Sequence, residues 1–161
     1  MPSNPSTFSY HLSLSKGDNL DPKHHIVRYV KPGQMQGEEI NGGAFLARPT
    51  DGNGVSYNWI EYYPDPLETQ MNCIRACARL NYAATGKLVK LNIEKTLNEI
   101  KNVIGDLKTT VNYNPLDPEN GYPADPSHAL MTNIPEDGDA LAEAIGDLIR
   151  DTLIETYPAK G

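Results

Sequence analysis

With 161 residues, of which 39% are hydrophobic and 22% charged, the chain can bury one core without disulfides or metals and lies outside the composition of disordered proteins. Its net charge of −7 makes duplex nucleic acid an unlikely partner, because nonspecific duplex binding leans on excess positive charge. No apolar run approaches the ~20 residues of a membrane helix, and Met1 to Ser6 carries neither the basic nor the apolar region of a secretory signal.

Residues 1–7 read as a flexible start to a single domain spanning 1–161. Phe8, Tyr10, Leu12 and Leu14 then alternate with polar residues, which predicts a half-buried strand. A turn over Gly17 to Lys23 precedes a β-branched, aromatic strand over His25 to Val30, stopped by Pro32-Gly33. A polar loop over Gln34 to Gly43, an apolar run over Ala44 to Ala47 and a turn over Pro49 to Gly54 follow. Val55 to Tyr63 is the richest strand pattern in the chain.

At Asp65-Pro66 the pattern changes. Asp at the N-cap, Pro at the first helical position and Glu68 three residues after the Asp predict a helix running toward Gly86. Leu88 to Leu91 reads as a short strand. Asn92 then caps a helix with Ile93, Leu97, Ile100 and Ile104 on one stripe, stopped by Gly105. Leu107 to Tyr113 alternates again. Asn114 to Pro126, with four prolines, is a long loop. A short strand over His128 to Met131 and a last helix over Asp139 to Tyr157 complete the order. Strands first, then helices interleaved with strands, predict an α+β fold: a largely antiparallel sheet covered on one face by two or three helices.

Charge is uneven. From Asp117 onward ten acids face only Arg150 and Lys160, whereas Cys73 to Asn112 holds seven bases against three acids. Cys73 and Cys77, four apart on the first helix, read as packed thiols, because a zinc site or disulfide framework needs more ligands. Free thiols fit a reducing compartment, so a cytoplasmic location is expected.

Four groups of residues could carry function. Arg28 sits mid-strand among apolar neighbours beside His24, His25 and Tyr29; a guanidinium there grips phosphate or carboxylate, and imidazole beside it can move a proton. Ser56 and Asn58 share one strand face near Trp59 and Glu61, and polar groups on a sheet face line ligand clefts. Asp125, Ser127 and His128 leave a proline-stiffened loop, where His128 could act as a general acid or base. Asp139, Glu143, Asp147, Asp151 and Glu155 recur every four residues and predict an acidic stripe on the last helix, a surface for a basic partner. No phosphate loop, dinucleotide glycine motif, zinc-enzyme motif or calcium loop is present, so no cofactor or metal is expected.

The stretches HHIVRYV, GGAFLARP, VSYNWIEYY and DPSHALM together resemble a family of small bacterial and phage proteins of about this length. The likeness runs from about His24 to the C-terminus, implies a bacterial or phage origin and brings no activity with it. A looser likeness to ADP-ribosyltransferase-type folds, through an early-strand Arg and a later Ser and Glu, lacks their spacing. The leading expectation is a binding or interaction module whose sheet face takes a small anionic or nucleotide ligand or a partner's segment. Its rival is a metal-independent nuclease or phosphodiester hydrolase using His24 or His25 with His128 and Arg28. A third expectation is an antitoxin- or inhibitor-like protein docking through the acidic last helix.

Overall fold

The computed structural model describes residues 13–48, 54–135 and 140–161. Residues 1–7, most of the strand expected over Phe8 to Leu14, most of the Pro49 to Gly54 turn and Asp139 lie outside them. Ser13 and Leu14, which are described, belong to no strand.

The fold is α+β. Six strands form one antiparallel sheet: β1 (His25–Val30), β4 (Gly54–Trp59), β5 (Lys87–Asn92), β6 (Thr110–Tyr113), β7 (His128–Thr132) and β8 (Glu155–Pro158). Their order across the sheet is β6-β7-β4-β1-β5-β8, and two-residue strands β2 (Met35–Gln36) and β3 (Glu39–Ile40) form a separate hairpin inside the expected loop. Three helices, α1 (Leu67–Ala76), α2 (Ile93–Val103) and α3 (Ala142–Asp151), complete the framework among the described residues.

Alternation along the strands splits the apolar residues into two cores. Ile26 and Val30 of β1, Val55, Tyr57 and Trp59 of β4, and Val89 and Leu91 of β5 pack with Ile93 and Ile100 of α2 and Ile145 and Ile149 of α3. On the other face Val27 and Leu88 pack with Met71 and Ile74 of α1. Each fully buried side chain of this size contributes about 1.5–3 kcal/mol, so the sheet is held from both sides. Thr96 of α2 and Thr152, just after α3, join the two helices through their hydroxyls (2.9 Å).

Two helices differ from the sequence reading. The first begins with Pro66 as N-cap rather than Asp65, the Asp65-Pro66 peptide is cis, and no side chain caps it. It ends at Ala76 instead of running to Gly86, because the chain is drawn across the sheet: Tyr82 stacks on Tyr29 (4.3 Å between centroids) and the Ala83 amide donates to the Tyr29 hydroxyl (2.9 Å). The last helix ends at Asp151, since the outer edge of β5 needs a partner more than Glu155 to Pro158 favours helix. Those residues pair with Lys87 to Lys90 as β8. The N-cap at Asn92 is where the sequence puts it, with Asn92 accepting from the Lys95 amide.

The sheet has one weak join. β1 pairs with β5 along its whole length and β4 with β7 over five residues. Yet β1 meets β4 only at Ile26–Trp59 and Val27–Asn58. Beyond Val27 the two central strands part and leave a seam.

Candidate functional site

A cavity of about 510 Å³ opens at this seam. Its floor is the α1 side of the sheet: Val27 and Tyr29 from β1, Ser56 and Asn58 from β4, His128 and Leu130 from β7. The register makes this set, because Asn58 lies opposite both Val27 and His128, and Ser56 opposite Leu130. Ala78 to Tyr82, the stretch that leaves α1 early, forms one wall, and Leu116 and Asp125 of the proline-rich loop form another.

Arg28 fills the seam itself. Its Nε donates to the Ala44 carbonyl (2.6 Å) and its Nη1 to the Ser56 carbonyl (2.8 Å), so its guanidinium takes the place that ladder bonds would hold. The group also lies 5.8 Å from the Tyr57 ring centroid. Ala44 belongs to a 3-10 turn, Gly42–Phe45, that packs on α3.

His128 is buried and has fixed partners. Its Nδ1 is within hydrogen-bond distance of the Asn114 carbonyl (2.8 Å) and the Asn114 Oδ1 (3.0 Å). Both are acceptors, so Nδ1 carries the proton, and Nε2 accepts from the Ser56 hydroxyl at 3.0 Å. Burial lowers the His128 pKa from the ordinary histidine value, and Arg79 and Lys16 push the same way, against the Asn114 carbonyl bond. The ring is therefore neutral near pH 7.

Asp125 has moved in the opposite direction. Burial pushes its carboxyl up to about 6, despite the Asn58 hydrogen bond and the Arg79 charge. Asn58 Nδ2 donates both to Asp125 Oδ1 (2.8 Å) and to Ser127 Oγ (3.0 Å), tying the loop to β4. Ser127 is fully buried and its carbonyl accepts from the Trp59 amide, so it anchors the loop rather than lining the cavity. Arg79 holds the opposite wall through the Asp117 and Pro123 carbonyls, with Glu119 3.7 Å from Nη1.

Of the residues singled out from the sequence, Arg28, Ser56, Asn58, Asp125 and His128 come together here. The others lie elsewhere. Trp59 is fully buried in the larger core, where its Nε1 donates to His24 Nδ1 (3.1 Å) and the two rings stack. His25 Nδ1 sits 2.6 Å from Glu61 Oε2, and its amide donates to the same carboxylate. Neither His24 nor His25 lines the cavity with His128. The acidic stripe does not run on one helix: Glu143, Asp147 and Asp151 are on α3, where Arg150 pairs with the last two, while Glu155 is on β8 and accepts from Tyr157. No group of three or more His, Cys, Asp or Glu side chains able to hold a metal occurs among the described residues.

Lys31, Arg48, Arg79 and Asn114 were not readable as site residues. Arg79 reads as one base in a helix, Lys31 and Arg48 as loop charges, and Asn114 as a loop residue after a strand. Only tertiary pairing brings Lys31, Arg48 and Arg79 to the cavity and Asn114 to His128. No helix among the described residues is long and apolar enough to cross a membrane. In comparisons with family models, curated proteins and solved structures, nothing matches the chain.

Proposed function

We propose that this chain is a binding module that holds a small anionic ligand, of the carboxylate or phosphate class, in the seam cavity. The observation that carries this reading is the charge of the walls. Arg28, Lys31, Arg48 and Arg79 line the cavity, and Asp125 is the only acid among the described residues that do so. In a chain of net charge −7, gathering four cations around one hollow works against the overall balance. Arg79 has Glu119 beside it, and the excess of positive charge left at the walls favours a bound anion. Tyr57 Oη and Arg79 Nε, on lining residues, are also buried without a hydrogen-bond partner among the described residues, each a cost of about 1–3 kcal/mol.

The nuclease reading has less support, since His24 and His25 are engaged with Trp59 and Glu61. Docking through an acidic helix has less as well, since Arg150 pairs with two of its acids. The free thiols of Cys73 and Cys77 support a cytoplasmic setting for the same reading. A bacterial or phage origin belongs to it through the resemblance of the four sequence stretches.

Native mass spectrometry of the protein taken from its own host tests the reading. A retained anion, lost on Arg28→Ala or Arg79→Ala substitution, is the expected result. A clean apo mass, together with no calorimetric binding of sulfate, phosphate or nucleoside monophosphates, would end it.

A further inference from the structure

The cavity contains more than a charge trap. Ser56 is exposed although it stands mid-strand, and its hydroxyl points its proton at a base. That base is buried and fixed in one tautomer, because the Asn114 carbonyl and side chain hold the far nitrogen of the ring. A hydroxyl, an imidazole accepting from it at 3.0 Å and an oxygen orienting the imidazole form the geometric signature of an activated nucleophile. The three residues come from β4, β7 and the loop after β6, and Ser56 and His128 are 72 positions apart.

We propose that Ser56 is a catalytic nucleophile with His128 as its general base, and that the cavity performs acyl transfer from small esters carrying an anionic group. The serine chemistry stands on the hydrogen-bond geometry alone, while the anionic group of the substrate rests on the binding reading above. In the first half-reaction Ser56 Oγ bonds to the acyl carbon as its proton passes to His128 Nε2. The ester C–O bond then breaks, and the same proton leaves with the alkoxide as an alcohol. In the second half, water gives a proton to His128 Nε2 as its oxygen bonds to the acyl carbon. The acyl C–Oγ bond then breaks, His128 returns the proton to Ser56 Oγ, and the carboxylic acid leaves. The oxyanion of each half-reaction develops in a hollow walled by Arg28, Arg48 and Arg79, where positive charge stabilises it. Asn114 is a positioning residue acting through the ring.

A fluorophosphonate probe tests this on the intact chain, because its reaction needs a nucleophilic serine and no anion site. The expected result is one covalent adduct per chain, mapped to Ser56, absent from Ser56→Ala and formed at least about 100-fold more slowly in His128→Gln. Where His128→Gln does not fold, wild type against Ser56→Ala decides. Absence of an adduct, or labelling undiminished in Ser56→Ala, overturns the nucleophile. Calorimetry with sulfate runs in parallel and separates the two readings. Sulfate binding without an adduct overturns the catalytic serine and leaves the anion site standing. An adduct without sulfate binding supports the serine and removes the anionic half of the proposed substrate.

Discussion

Gly146 and Gly42 give the sharpest test of the packing that supports the site. Gly146 lies inside α3, and helix propensity alone predicts that Gly146→Ala stabilises the protein by about 1 kcal/mol. The structure predicts the opposite sign. A Cβ on Gly146 would sit 2.5 Å from the Gly42 carbonyl oxygen and 2.8 Å from its carbon, and one on Gly42 would sit 2.5 Å from the Asp147 amide nitrogen. These are backbone atoms, so no flexible side chain can yield, and α3 and the 3-10 turn must part by about 0.5 Å. Overpacking of this kind costs about 3 kcal/mol. Set against the propensity gain, Gly146→Ala should lose about 2 kcal/mol, a drop in Tm of about 4–8 °C for a chain of this length. Gly43, next to Gly42, is the internal control, since a Cβ there meets nothing within 4 Å. Gly43→Ala should stay within about 0.5 kcal/mol of wild type. Urea unfolding of the three proteins is the assay. A Gly146→Ala midpoint at or above wild type would mean that the close approach does not govern stability, and the reasoning would fail.

The cavity's charge should titrate. Asp125 has a folded pKa of about 6, above its ordinary 3.8, so the folded state holds the proton longer. The unfavourable contribution of its charge is absent below the unfolded pKa and grows as pH rises from about 4 to 6. Sulfate, which does not titrate in this range, should therefore bind more tightly below pH 6 than above it, and Asp125→Asn should flatten that dependence in calorimetry. Losing the helix cap through Asn92→Ala should cost about 1 kcal/mol, read as a lower denaturation midpoint with an unchanged slope. Ile145, fully buried between α3 and the sheet, should cost about 2–5 kcal/mol as Ile145→Ala, measured by the same unfolding curves.

Much of the framework was legible because local signals and tertiary demands agree there. His25 to Val30 is bounded by turn residues and pairs along its full length, and Asn92 caps α2 with its own side chain. The signal failed where a distant edge decided. Residues 152–157 continue a helical spacing, yet β5 claims Glu155 onward, and nothing in the local pattern reveals an unfilled strand edge. The site follows the same division. Arg28, Ser56, Asn58 and His128 stood out as polar residues interrupting strands. Their companions did not, because the partners come from register: His128 faces Asn58, and the adjacent pair His24 and His25 turns toward Trp59 and Glu61 instead. Asp125 and Ser127, close in sequence, divide their roles, one carboxyl at the cavity and one hydroxyl in the anchor.

The two-rung meeting of β1 and β4 has a mechanical consequence. It makes the sheet a pair of three-stranded leaves, β6-β7-β4 and β1-β5-β8, joined by a short clasp and the Arg28 guanidinium. Few hydrogen bonds need to break for the leaves to swing apart, so amide exchange along the inner edges of β1 and β4 should proceed by local opening, well below the free energy of global unfolding. Any molecule that touches Arg28 and Tyr29 on one leaf and Asn58 and His128 on the other would act as an added rivet. Its affinity would then be written in the amide-exchange rates along the whole seam between β1 and β4.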